Sequence, residues 1–282
     1  MKVSSLFIAF LLAMLCGGCV NHINEEEEET EPVNQKTIVF RTALNVSQVP
    51  MRSVSEDVSK IVVADYQEGT ETQKIEQKSD DANFGEISIP LKYGAHELLF
   101  VGHNAESGAL SYPAISFDKP MDTFSFYKEL TVDENTEETQ TIELTRSAAL
   151  VKLTANDAIP TEVALLKITF SKYYPSLNIK TSAANGNPVS VERTFEYKPA
   201  HIGVKGTTYS IYTFSPYGGY TTDISISTVD AKGNILHSIT ANKVSIEKNC
   251  QTKISGNVFH SGFGVNLTVI TEWKDDIIVP FQ

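Results

Sequence analysis

Apolar residues recur at every second position in short runs, divided by turn residues, and this period of two restricts the chain to β-structure. From Lys36 to Leu44 the residues Ile38, Phe40, Thr42 and Leu44 share one side, as a half-buried strand requires. Comparable runs are Lys60 to Tyr66, Glu86 to Leu91, His96 to Val101, Thr141 to Leu144, Ala148 to Ala155, Val163 to Phe170, Thr207 to Phe214, Asp223 to Val229, Ile235 to Thr240, Thr252 to Ser255 and Gly264 to Thr271. Two hairpins are expected, one turning at Lys92-Tyr93-Gly94 and one at Asp230-Ala231-Lys232-Gly233-Asn234, each with a glycine for the left-handed position. The prolines at 160, 175, 188, 199 and 216 fall between apolar runs, where a missing amide donor costs least. No long window carries a 3.6-residue apolar period, so helix is confined to short turns around segments such as Ser53 to Ser59. The fold class expected is all-β, a sandwich or barrel whose open edges can accept a strand from another chain.

The start of the chain is of another kind. Lys2 precedes an apolar stretch from Leu6 to Leu15 that ends in Gly17 and Gly18 before Cys19, the order of a secretory signal. Its apolar core has about half the residues that a helix needs to cross a bilayer. Residues 1–18 are therefore read as a signal peptide and Cys19 as the lipidation site, since small residues precede it whereas Met14 and Leu15 precede Cys16. The arrangement resembles a bacterial lipobox, although Cys16 departs from the usual residue at that place; a plain secreted protein with Cys19 unmodified is the alternative. Acyl chains at Cys19 would hold the protein on a membrane without a spanning segment. Residues 19–35 carry Glu25 to Glu29 and Glu31, a like-charged block that stays extended and solvated. This acidic run resembles the surface-export signal of Bacteroidetes lipoproteins, and a simple spacer is the other reading.

The remaining body of about 245 residues suits two domains of ordinary size. Cys250 is its only cysteine, so the body has no internal disulfide. A formal net charge of −12 with four arginines disfavours nucleic-acid binding. The chain has no Gly-x-Ser-x-Gly elbow, no His-Glu-x-x-His and no Walker loop. His96 and His103 flank one expected strand on opposite faces and are read as surface or turn residues. The pairs Asp80-Asp81 and Asp275-Asp276 lack the alternating spacing of a calcium loop and are read as solvated turns. Tyr209, Tyr212, Phe214, Tyr217 and Tyr220 could stack on sugars, but strands bury aromatics by preference and core packing is the expectation. No catalytic residue, metal ligand or cofactor is expected, and the protein is read as a non-enzyme.

Three segments carry a family likeness. Ile142-Glu143-Leu144-Thr145-Arg146-Ser147-Ala148-Ala149-Leu150-Val151-Lys152-Leu153 is followed by Asn156-Asp157-Ala158-Ile159-Pro160. Near the end stand Asn249-Cys250-Gln251-Thr252-Lys253-Ile254-Ser255-Gly256-Asn257-Val258-Phe259 and then Trp273. In this order, behind a lipobox, they resemble the fimbrillin superfamily of Bacteroidetes, especially its fimbrial-anchor branch of FimB/Mfa type. The resemblance implies two tandem transthyretin-like β-sandwich domains, at 36–146 and 147–282, in a lipoprotein of the outer membrane that is surface-exposed and part of a fimbrium. It implies fimbrial subunits of the same superfamily as partners, joined by β-strand exchange. Stalk subunits of that group are trimmed after an arginine to open a groove for the next subunit's strand, which makes Arg52 the candidate cleavage site. Anchor subunits keep their lipidated start, and the short segment after Trp273 leans this chain towards the anchor. The expected strand-exchange contacts are Ile38 and Phe40 in the first strand, and Val265, Leu267, Val269 and Trp273 in the terminal one. A surface glycan-binding accessory lipoprotein is the alternative function.

Overall fold

The computed structural model describes residues 34–45, 58–260 and 266–267. Cys19, Arg52, Val265, Val269 and Trp273, together with the signal peptide, the acidic tether, most of the Ser53 to Ser59 segment and Asp275-Asp276, lie outside these residues. The strands before Ser147 are β1 (Gln35–Asn45), β2 (Lys60–Gln67), β3 (Thr70–Lys78), β4 (Glu86–Lys92), β5 (Gly94–His103), β6 (Ala109–Ser111), β7 (Ala114–Ser116), β8 (Thr123–Val132) and β9 (Thr139–Arg146). After it come β10 (Ala148–Ala155), β11 (Leu165–Tyr173), β12 (Ser176–Asn178), β13 (Ala183–Ala184), β14 (Val189–Glu196), β15 (Thr207–Phe214), β16 (Tyr220–Val229), β17 (Ile235–Ile246), β18 (Gln251–Gly256) and β19 (Asn266–Leu267). The fold is all-β, and the one helical turn among the described residues is a 3-10 turn at Pro199–His201.

Strands β1 to β5, β8 and β9 form one seven-stranded sheet in the order β3-β2-β5-β8-β9-β1-β4. Its alternating residues, among them Ile38, Phe40, Leu44, Ile89, Phe100, Ile142 and Leu144, make a core drawn only from residues before Ser147. A second core drawn only from residues after it lies among the sheets β15-β10-β18-β19 and β14-β11-β16-β17. A third cluster is shared: Ala64, Leu99, Ile115 and Phe117 pack with Ala148, Leu177, Ile179 and Phe214. Over it runs a small sheet, β13-β12-β7-β6, in which β7 from the earlier part pairs with β12 from the later.

Two expectations about turns fare differently. The hairpin at 230–234 is present between β16 and β17, with Gly233 at φ 88°. The hairpin at Lys92-Tyr93-Gly94 is not formed: Gly94 takes a φ of 130°, but β4 pairs with β1 while β5 pairs with β2 and β8. Both strands feed the same core, Ile87, Ile89 and Leu91 from one and Leu98 and Phe100 from the other. A reversal at glycine sets a change of direction only; which edge the next strand joins depends on the buried faces it must satisfy.

Candidate assembly interface

Strand β1 is the element around which an assembly site can be built. Its residues Ile38, Phe40 and Leu44 are fully buried, and the Phe40 ring meets Phe100 edge-on with centroids 5.3 Å apart. Burying each such side chain contributes about 1.5–3 kcal/mol. On one side Gln35 to Arg41 pair antiparallel with β4; on the other Val39 to Asn45 pair parallel with β9, a strand nearly a hundred residues away in sequence. Over Val39 to Arg41 both edges of β1 are thus occupied. Ile38 and Phe40 are core residues here; Phe40 has a strand partner on both edges, and Ile38 is paired on the β4 side. Remove β1, and what remains is a groove between β4 and β9 with apolar pockets at alternate positions.

The end strands of the same sheet, β3 and β4, are cross-linked by side chains. From β3, Gln73 Nε2 donates to the Pro90 carbonyl at 2.9 Å and Gln77 Nε2 to the Glu86 carbonyl at 2.9 Å, while the Gly85 amide donates to Gln77 Oε1 at 2.9 Å. These glutamines bridge β3 to β4, the two end strands of the sheet, by side-chain-to-backbone bonds. Pro90 in β4 supplies no amide donor to an incoming strand. Blocked edges of this kind resist unplanned strand pairing. At the other end of the chain, Leu267 lies in β19, which pairs with β18 through Ile254 and Ser255.

Buried polar groups form clusters that the sequence reading did not anticipate. His96 and His103 are both buried, not surface residues as expected. His96 Nδ1 donates to Asp65 at 2.9 Å, and both side chains are almost completely enclosed. A carboxylate inside the apolar run Lys60 to Tyr66 was the signal available for this pair. His103 stacks edge-on against Phe117, its Nδ1 has no hydrogen-bond partner, and loss of water, with Lys60 nearby, pushes its pKa down to about 4. Glu97 accepts hydrogen bonds from Lys180, Tyr112 and Tyr127, which hold its carboxyl down at about 2, the Lys180 bond being the largest cause. Arg146 Nε donates to both oxygens of Asp122 at 3.0 and 3.1 Å while its guanidinium lies 4.8 Å from the centre of the Phe124 ring. Asp157 accepts from the amides of Val258, Phe259 and His260; burial raises its pKa, but these bonds and the His260 ring outweigh it and lower the pKa overall.

None of these clusters assembles a nucleophile, a base and an oxyanion site, and among the described residues no three His, Cys, Asp or Glu side chains converge as metal ligands. Asp81 sits in an exposed turn, accepting the Lys78 amide. Of the aromatic group, Tyr209 and Phe214 are core residues, Tyr212 and Tyr220 are half-buried, and Tyr217 is fully exposed. Cys250 is half-buried at the start of β18.

The model of a family of unknown function (DUF6562) matches residues 110–282. None of the curated proteins matches the sequence. Among solved structures, a candidate polysaccharide-binding protein of the DUF1812 group from Bacteroides thetaiotaomicron aligns at TM-score 0.53 and 11% identity, over 84% of this chain and 99% of that one. A candidate adhesin from Bacteroides ovatus aligns at 0.52 and 12%, over 86% and 97%. The fimbrial anchor protein Mfa2 from Porphyromonas gingivalis aligns at 0.48 and 11%, over 85% and 100%. At these identities the likeness is one of fold: the chain shares its β-sandwich architecture with the Bacteroides candidate adhesin and candidate polysaccharide-binding protein.

Proposed function

The chain belongs to the family of unknown function DUF6562, and since that description carries no activity, we propose that it is a non-enzymatic surface lipoprotein, a fimbrial anchor or fimbrial subunit that assembles by β-strand exchange. The observation that carries this reading is the placement of β1: a strand whose alternate side chains fill the core, held between β4 and β9 in one sheet. A partner strand that took that place would meet backbone partners on both sides and apolar pockets at alternate positions. In this mode main-chain pairing supplies affinity and pockets at alternate positions supply specificity. The fold shared with a Bacteroides ovatus candidate adhesin supports a surface role.

In this reading residues 36–146 and 147–282 are two sandwich domains behind a signal peptide of residues 1–18. The tether of residues 19–35, lipidated at Cys19, holds them at the outer membrane. In a stalk subunit, Arg52 would instead be the cleavage site: it falls between β1 and β2 in sequence, and a cut there separates β1 and the tether from the rest of the chain. Val265, Leu267, Val269 and Trp273 are the residues of the terminal segment that give or receive a second contact in this reading.

The test is exchange. A specific protease site is placed in residues 46–57 of the purified chain, the chain is cut, and a labelled peptide of residues 34–46 is added. Uptake of the peptide, and loss of uptake when its Phe40 is replaced by Glu, is the expected result. A cut chain that stays folded by circular dichroism, releases its own β1 in dilute urea and still takes up no peptide removes this groove as the assembly site. The second reading, a glycan-binding accessory lipoprotein, is favoured by the fold likeness to the Bacteroides thetaiotaomicron candidate polysaccharide-binding protein.

A further inference from the structure

Tyr217 stands in the turn between β15 and β16 with its side chain 100% exposed. An aromatic ring kept wholly in water gains nothing from burial, and its surroundings are not those of a loose loop. Pro216 precedes it, and Gly218 and Gly219 follow, each at φ 82°. The Gly219 amide closes the turn on the Pro216 carbonyl at 3.1 Å. A Cβ on Gly219 would lie 3.0 Å from Glu247 Cγ and 3.2 Å from the Ile246 carbonyl, so the turn is pressed against the end of β17.

Beside the ring is a cleft of about 420 Å3, lined among others by Thr181, Ser182, Ser215, Glu247 and Lys248. This is within the range of small-molecule sites, about 300–1,000 Å3. Its polar groups are held from behind. Lys248 Nζ donates to Ser182 Oγ at 2.8 Å, Ser182 bonds Ser147 at 2.9 Å, and Ser147 bonds Ser125 at 2.7 Å. Ser125 and Ser147 are buried, so the chain of hydroxyls anchors the cleft wall to the interior. Ser182 itself is held at φ 51°, a conformation that costs a residue with a side chain and persists only where the surroundings enforce it.

We propose that the Pro216–Gly219 turn and this cleft form a saccharide-binding subsite, in which the Tyr217 ring stacks on the apolar face of a pyranose while Thr181, Ser182, Glu247 and Lys248 bond its hydroxyls. The lining has both donors and acceptors at fixed positions, which suits a ligand whose hydroxyls are both. Lys248 has ammonium protons beyond the one given to Ser182, and the Glu247 carboxylate accepts in more than one direction. An aromatic anchor for a protein partner is instead set in an apolar, dehydrated surround. Tyr217 is fully exposed between Pro216 and two glycines, and its cleft sets hydroxyls, a carboxylate and an ammonium beside Ala183 and Pro216. The proposal is independent of strand exchange at β1.

Saturation-transfer NMR on the purified mature chain tests it, with methyl α-mannopyranoside, methyl β-galactopyranoside, methyl N-acetyl-β-glucosaminide and N-acetylneuraminic acid as probes. At least one should show transfer with a Kd on the order of millimolar, as expected of a single shallow subsite. Tyr217→Ala and Glu247→Gln should each weaken it about tenfold or more, whereas Tyr217→Trp should retain it. Tyr217 makes no packing contact, so its variants fold. Absence of transfer from all four probes, or transfer untouched by Tyr217→Ala, overturns the proposal. So does a Tyr217→Ala chain that loses a bound fimbrial subunit while the saccharides never bound, which would make the turn a protein anchor.

Discussion

A guanidinium out of water is costly unless its hydrogen bonds and charge are met, and at Arg146 the bidentate Asp122 carboxylate and the Phe124 ring meet them. The residue closes β9 just before the chain enters β10. Arg146→Ala removes the ion pair with Asp122 and the contact with the Phe124 ring and should lower stability by about 3–5 kcal/mol in urea unfolding. A loss under about 1 kcal/mol would mean that the pair behaves as a surface bridge. His103 makes a second prediction, of pH dependence. Its pKa is about 4 in the folded chain against 6.5 ordinarily, so between these values the unfolded chain takes up a proton that the folded chain refuses. Stability is therefore full above the ordinary value and falls with pH through that window, by up to about 3 kcal/mol. Comparing wild type with His103→Gln at about pH 7.5 and pH 4 isolates the effect: the variant should lose less on acidification. Glu97, held at about 2, acts in the same direction but at lower pH.

At the scale of elements, the side-chain bridge from β3 to β4 rests on Gln73 and Gln77. Replacing both by Ala removes several side-chain-to-backbone bonds, each with a net contribution of about 0.5–1.5 kcal/mol. The expected outcome is a loss of about 1–3 kcal/mol together with faster hydrogen exchange at the Gly85 amide, whose acceptor is the Gln77 side chain. Unchanged exchange there would show that the edge is held by backbone packing alone. Strand β3 was not read from the sequence, and the reason is visible in it: Thr70 to Lys78 carries a single strongly apolar side chain, Ile75. It becomes a strand because β2, with Ile61 and Val63 buried, offers it a backbone edge.

For the whole molecule, the proposed function makes a lipid anchor at Cys19 the feature that sets where the fold operates. Cys19→Ala should abolish acylation and surface display while leaving the fold, since only that thiol can take the diacylglyceryl group. Intact mass of membrane-extracted protein and accessibility to external protease check both, and an acylated, displayed variant would remove the lipobox assignment. Replacing Glu25 to Glu29 by neutral residues should keep the acyl chains and reduce exposure at the surface; unchanged protease accessibility would reduce the run to a spacer.

What the sequence determined by itself is local. The period of two in residues such as Ile38, Phe40 and Leu44, and a glycine at position 233, are enough to place strands and one hairpin, because side-chain alternation and positive φ are properties of a few neighbouring residues. What only the tertiary structure decided is which edges meet. The parallel pairing of β1 with β9, the separation of β4 from β5, and the meeting of Asp65 with His96 across 31 residues depend on where each apolar face finds cover. So does the isolation of Tyr217, which lies in the same aromatic-rich stretch as Tyr209 and Phe214 but lacks their burial. Backbone donors and acceptors are the same along every strand, so partner choice is set by burial summed over the whole chain, a quantity no local window contains.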